Sequence, residues 1–171
     1  QSYTSCWIGS NGDIDFRASD PHTAYSNSDA GLKAAVRIAL LWDDLNTVAP
    51  HDIYIESAAD HVTVRWEAIT YAGSLQVNVA ATLYPDGRIR FHYGTGNTGL
   101  SPTIGISAGD NTNFVLSTYN NATTLPSVNS HQFAAPAPLP GGLTFETSGL
   151  LHGTPTSAGT STRPGSRSTP G

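Results

Sequence analysis

The sequence predicts an all-β chain: an antiparallel β-sandwich with a C-terminal extended arm. Three observations predict it. Apolar and polar residues alternate in short runs along residues 53–118. Turn signals such as Asn11-Gly12 and Pro85-Asp86-Gly87 separate the runs. No segment sustains helical periodicity over three turns, so short strands and turns account for the pattern.

The elements follow in order. Residues 3–8 read as a strand, and Ile14 and Phe16 alternate with Asp13, Asp15 and Arg17 across the Asn11-Gly12 turn. That is a hairpin signal. Residues 18–31 are rich in Ser, Asp and Asn and read as a surface loop; residues 32–36 allow one short helical turn. The continuous apolar run from Ile38 to Trp42 predicts a strand covered on both faces. Residues 53–56 and 61–70 give two more strands, the second with Val62, Val64 and Trp66 on one face and Thr63, Arg65 and Glu67 on the other. Residues 75–93 form the clearest hairpin, because Pro85 pre-sets the turn and Asp86-Gly87 tolerates its backbone. Residues 103–107 and 114–118 complete the strands, and Gly94–Gly99 is a glycine-rich loop between them. That loop fits Gly-x-Gly-x-x-Gly by letter, but no helix pattern follows it, so the dinucleotide reading fails.

Composition narrows the function classes. The 171 residues carry a net charge of −5, and only 12% are charged, against about 25% on average. Lys33 is the sole lysine and no basic patch exists, which argues against nucleic acid as a partner. The longest apolar run, from Ile38 to Trp42, falls far short of the ~18 residues of a membrane span. The absence of Met, with Gln1 and Ser2 in first place, reads as a mature end left by signal-peptide removal, the alternative being a trimmed fragment. Cys6 is the only cysteine, so no internal disulfide forms. Beside Trp7 and Ile8 it reads as a small buried apolar residue, with intersubunit pairing as the alternative.

The organisation reads as four parts: a β-sandwich over 1–133, a Pro-rich linker over 134–140, a further segment over 141–160 and a Pro/Gly/Ser-rich tail over 161–171. Residues 139–160 are too few strands for a core of their own. They must pack on the first domain, pair with another chain or stay loose.

Three stretches carry a family resemblance: Trp7-Ile-Gly-Ser-Asn-Gly-Asp-Ile-Asp-Phe16, Ile38-Ala-Leu-Leu-Trp-Asp-Asp-Leu45 and Leu83-Tyr-Pro-Asp-Gly-Arg-Ile-Arg-Phe91. Their order and spacing resemble a bacterial β-sandwich module similar to the nidogen-type extracellular domain. Downstream, Leu139-Pro-Gly-Gly-Leu143, Ser148-Gly-Leu-Leu-His-Gly-Thr-Pro155 and Ala158-Gly-Thr160 resemble the middle of an immunoglobulin-like repeat of bacterial surface proteins. The first resemblance implies a secreted or surface-borne binding or building module and no enzyme.

Candidate chemistry is sparse. Asp43 and Asp44 are the candidate metal ligands, for Ca²⁺, with Asp13, Asp15 and Asp110 as neighbours that would have to join them. The competing reading is that Asp43 and Asp44 cap a strand end and bind loop amides. Glu56 and Glu67 are the one carboxylate pair worth testing as glycosidase residues, but Arg65 beside Glu67 favours an ion pair across strands. The six His residues lack metal-ligand spacing. Trp7, Trp42 and Trp66 would stack on sugar only if exposed, and the alternation places Trp42 and Trp66 in the core.

No other cofactor is implied. Phe133, Leu139, Leu143, Phe145, Leu150 and Leu151 are apolar residues in a stretch without its own core. They form the expected subunit-docking arm, since open sheet edges accept extended segments. The expected function is therefore a secreted structural or interaction subunit of a fibre, matrix or adhesin that self-associates through this arm. The alternative is a carbohydrate-binding accessory module, with a glycan as partner.

Overall fold

The computed structural model describes residues 3–17, 25–127, 130–133, 143–145 and 151–153. They fall in two compact units, Gln1–Ala134 and Ala135–Gly171. In chain order the first unit holds β1 (Trp7–Gly9), β2 (Asp13–Asp15), α1 (Asp29–Lys33), β3 (Val36–Trp42), β4 (Leu45–Asn46), β5 (Asp52–Ser57) and β6 (Val62–Thr70). It continues with β7 (Gln76–Leu83), β8 (Ile89–Tyr93), β9 (Thr103–Ala108), β10 (Phe114–Leu116) and β11 (Ser130–Phe133). The second unit holds β12 (Leu143–Phe145) and β13 (Leu151–Gly153).

The first unit is the antiparallel β-sandwich the alternation predicts. One sheet has the order β1-β2-β3-β9-β10; the other has β11-β8-β7-β6-β4, with β5 also paired to β6. Ile14, Ile38, Leu40 and Ile104 from the first sheet meet Val64, Trp66, Val79 and Phe91 from the second in one core. Trp66 is fully buried and its indole N–H donates to the Gly9 carbonyl at 2.7 Å. That bond stitches the sheets together and satisfies the one polar atom of the ring.

β3 shows why its run is apolar throughout. Its pairing with β9 shifts register between Ala39 and Trp42, a β-bulge. A bulge adds one residue and re-aims the side chains after it. Leu40 and Leu41 both enter the main core, while Ala39 and Trp42 join Leu32 of α1 in a smaller cluster beside Leu116. Both faces of β3 are therefore covered. The helical turn lies at Asp29–Lys33 and not at 32–36, because Ser28 caps it by accepting from the Gly31 N–H at 3.0 Å. Two pairings escape the alternation pattern: β4, and β11, which closes the edge of the second sheet beside β8.

In the second unit β12 and β13 pair antiparallel, with Leu143 opposite Gly153, Thr144 opposite His152 and Phe145 opposite Leu151. The stretch expected as an extended arm thus contains a two-stranded ribbon. Strand alternation puts positions 143, 145 and 151 on one side of that ribbon and positions 144 and 152 on the other. Leu139, Leu150, the 134–140 linker and the 161–171 tail lie outside the described residues.

Candidate functional site

The strand directions give the sandwich two ends. One gathers the 10–12 turn, the segment after β3 and the 94–102 loop. The other gathers the 84–88 turn, the 109–113 turn and the last residue of β11.

The first end is tied by side-chain hydrogen bonds. The Asn11 carbonyl accepts from the Asp43 N–H at 3.1 Å, and its side-chain oxygen accepts from the Leu45 N–H at 2.9 Å. Asp43 is buried. One carboxylate oxygen accepts from the Ser101 N–H at 2.8 Å; the other accepts from the Asp44 N–H at 2.9 Å and the Ser101 hydroxyl at 3.4 Å. Gly12, at φ +75°, runs so close to the Leu41 carbonyl that a Cβ would collide with it, which is why the turn carries glycine. The first two sequence signatures are therefore two halves of one junction. In the adjacent loop Asn97 is fully buried. Its amide replaces a strand partner: the oxygen accepts from the Asn78 N–H at 2.9 Å, and the nitrogen donates to the Asn78 and Gly94 carbonyls at 3.2 and 3.0 Å.

This geometry uses Asp43 as a cap. Asp44 lies beside it, but the other acidic candidates are elsewhere. Asp110 belongs to the opposite end, where its carboxylate accepts from the Thr112 and Asn113 N–H groups; those bonds, Asn113 foremost, hold its pKa well below the usual range. Among the described residues no group of three or more His, Cys, Asp or Glu side chains is placed to hold a metal ion.

Asp13 and Asp15 are not a solvent-facing row, as their alternation suggests. Both are buried with Arg37. Arg37 Nε lies 3.2 Å from Asp13 and Nη2 2.9 Å from Asp15. The guanidinium stacks 4.0 Å over the Trp42 ring, and this cation–π contact faces a cation whose Nη1 is buried without a hydrogen-bond partner. Burial pushes the Asp13 carboxyl up to about 6 despite Arg37. Burial also acts to raise Asp15, but bonds from Arg17 and Arg37 outweigh it and hold its carboxyl below the ordinary value. The signal available in the sequence was an arginine set between Val36 and Ile38 at the head of an apolar run.

Other expectations change. Cys6 is exposed, because it precedes β1 and has no ladder partner to cover it. Trp7 is 42% exposed, whereas Trp42 and Trp66 are buried. The Arg65–Glu67 ion pair, at 2.9 Å, runs along β6 and not across strands. Glu56 faces Thr63 in the ladder, which sets it roughly 13 Å along the sheet from Glu67 at ~3.3 Å per residue. That exceeds the ~5–9.5 Å of a glycosidase pair.

The second end holds a surface groove of about 620 Å³ between the sheets. Phe16, Ile38 and Ile106 line it from the first sheet, Leu83 and Ile89 from the second, and Val115 from the edge strand. Val115 is 52% exposed. The third signature supplies the wall: the Tyr84 carbonyl accepts from the Gly87 N–H at 3.0 Å, with Gly87 at φ +85°. Arg88 stacks 4.3 Å over the Tyr84 ring.

These geometries account for all three signatures, and a family model agrees with them: the model described as NIDO related matches residues 1–143. The chain belongs to the NIDO-related family. No curated protein and no solved structure matches it. The NIDO-related match spans the whole sandwich and reaches the first residue of β12. The immunoglobulin-like resemblance of residues 139–160 stays a resemblance. The family is of an extracellular type, and among the described residues no helix is long and apolar enough to cross a membrane.

Proposed function

We propose that this NIDO-related chain is a non-catalytic structural or interaction subunit of an extracellular assembly, joined to its neighbours through the C-terminal arm. The observation that carries the reading is the β12–β13 ribbon. A two-stranded ribbon is marginal in water by itself, and the register of this one, with Phe145 opposite Leu151, puts positions 143, 145 and 151 on one side. Docking on another copy would cover that side. Truncation after Phe133 tests the reading. The full chain should form dimers or longer polymers in sedimentation and electron microscopy, and the truncated chain should stay monomeric. Equal association of both would refute it.

A second reading, glycan binding, is favoured by one observation: the half-exposed Trp7 on the edge strand of the first sheet. Its indole N–H donates to the Arg17 carbonyl at 3.2 Å, which fixes the ring. A monomer retarded in polysaccharide gels, with the retardation lost in Trp7→Ala, would support that reading over the first.

A further inference from the structure

We infer that β5 is a pairing edge for a second copy of this chain, the two copies joining antiparallel about Ile55. The surface is distinct from the arm and lies wholly within the first unit. Among the described residues β5 has one ladder partner, β6, so its other side is open. Its six residues make it the longest described edge strand: β1 and β10 have three, β4 two and β11 four. Edges are usually blunted by Lys, Pro or a bulge. Asp52-Ile-Tyr-Ile-Glu-Ser57 carries no Lys or Pro and keeps an unbroken register with β6.

Backbone parity decides what the open side offers. The Ala58 N–H donates to the His61 carbonyl at 2.9 Å, one step beyond the Ser57–Val62 pair. Backbone groups alternate in direction along a strand. Asp52, Tyr54 and Glu56 therefore point theirs at β6, and Ile53, Ile55 and Ser57 point theirs away. One outward donor is already used: the Ile53 N–H donates to the Asp52 carboxylate at 2.8 Å. The N–H and C=O of Ile55 and Ser57 and the C=O of Ile53 remain for a partner.

A second copy fits these groups in one register. Antiparallel pairing sets outward residues opposite outward residues. Centred on Tyr54, it would set Asp52 against Glu56 of the second copy; centred on Glu56, it would set the two Glu56 side chains against each other. Like charges directly opposite are destabilising. Centres at Ile53 or Ser57 leave at least half of β5 unpaired. Centred on Ile55, no like charges meet. Each Ile55 N–H then donates to the other Ile55 carbonyl, and each Ser57 N–H donates to the Ile53 carbonyl opposite it.

The side chains agree with this register. On the inner face Ile55, 59% exposed and near the 36%-exposed Val62, meets its own counterpart. On the outer face Tyr54 comes beside Glu56 of the second copy. The Arg65 guanidinium, 5.4 Å from the Tyr54 ring, brings a positive charge toward that carboxylate. The contact is small, since one strand pair buries far less than the ~1,200 Å² of a stable interface. Alone it is transient and holds no dimer through sedimentation; it aligns copies that other contacts bring together.

Cysteine cross-linking in the full chain captures such a contact and reads its register. The background is Cys6→Ser, because Cys6 is exposed. Tyr54 and Glu56 of the second copy form a non-hydrogen-bonded pair, with Cα atoms about 4.5 Å apart, within disulfide reach. Under a mild oxidant, Tyr54→Cys and Glu56→Cys chains mixed in equal amounts should cross-link to each other at least tenfold faster than either cross-links alone. Ile55→Lys added to both chains should remove that advantage, and so should Ile55→Pro, which deletes the outward N–H at an edge position that tolerates proline. Circular dichroism checks that each variant keeps the fold. Fast cross-linking of Tyr54→Cys alone or of Glu56→Cys alone would overturn the register centred on Ile55. No cross-linking in the mixture, or cross-linking that survives both Ile55 substitutions, would overturn the pairing edge itself. None of these outcomes depends on the arm, whose own test is the truncation after Phe133.

Discussion

At one end of the sandwich, Asn11, Asp43, Asn97 and Ser101 close the loops with side-chain hydrogen bonds. At the other end, apolar side chains from both sheets line an open groove. The difference separates two uses of sequence. At the tied end the Asn11, Asp43 and Asn97 side chains serve backbone groups, so these residues are fixed by the fold. The open end keeps surface that the fold does not need to expose, and such surface is where a partner gains affinity.

Substitutions should separate the ends. Asn97→Ala should have the largest effect. It removes the acceptor of the Asn78 N–H and the donor to two carbonyls, and places alanine at φ +54°. A loss of about 3–4 kcal/mol is expected from unpaired buried groups and left-handed backbone, read by urea unfolding. Asp43→Ala should cost about 2–3 kcal/mol, since the Ser101 and Asp44 N–H groups lose a charged acceptor. Added Ca²⁺ should not restore it.

The buried Asp13–Asp15–Arg37 cluster gives a pH test. Asp13 has a folded value of about 6 against an ordinary 3.8, so the folded state binds its proton more tightly than the unfolded one. Stability from this group is therefore lost as pH rises from roughly 4 to 7, on the order of 2 kcal/mol. Asp15 works the other way: its contribution is present above the ordinary carboxylate value and is lost as pH falls below it. Asp13→Asn should flatten the melting profile between roughly pH 4 and 7 and leave the acid-side loss in place. A slope identical to that of the unsubstituted chain would refute the assignment. The smallest stability effect should be at Val115→Asp, under ~0.5 kcal/mol for a partly exposed edge position.

Much of the fold was legible in the sequence. Alternation in β6, β7 and β8 and the Pro85-Asp86-Gly87 turn located the second sheet, because period two and turn chemistry are local properties. The bulge in β3 was not legible: it follows from how β3 meets β9, whose residues lie more than 60 positions away. The burial of Asp13 and Asp15 was not legible for a related reason. Alternating charge normally marks a solvated face, and only the placement of Arg37 two strands into the sheet turned it into a buried cluster. Of the candidate site, Asp43 was readable as a cap from the turn-like Asp-Asp pair. The groove was not, since its residues come from separate strands and the opening depends on how the two sheets cover each other.

The comparison of the two ends is tested most directly by measuring the melting temperatures of the full-length Val115→Asp and Asn97→Ala chains. The account predicts that Val115→Asp keeps the melting temperature within ~3 °C, while Asn97→Ala melts well below the unsubstituted chain. A Val115→Asp chain that melts as low as Asn97→Ala would contradict it.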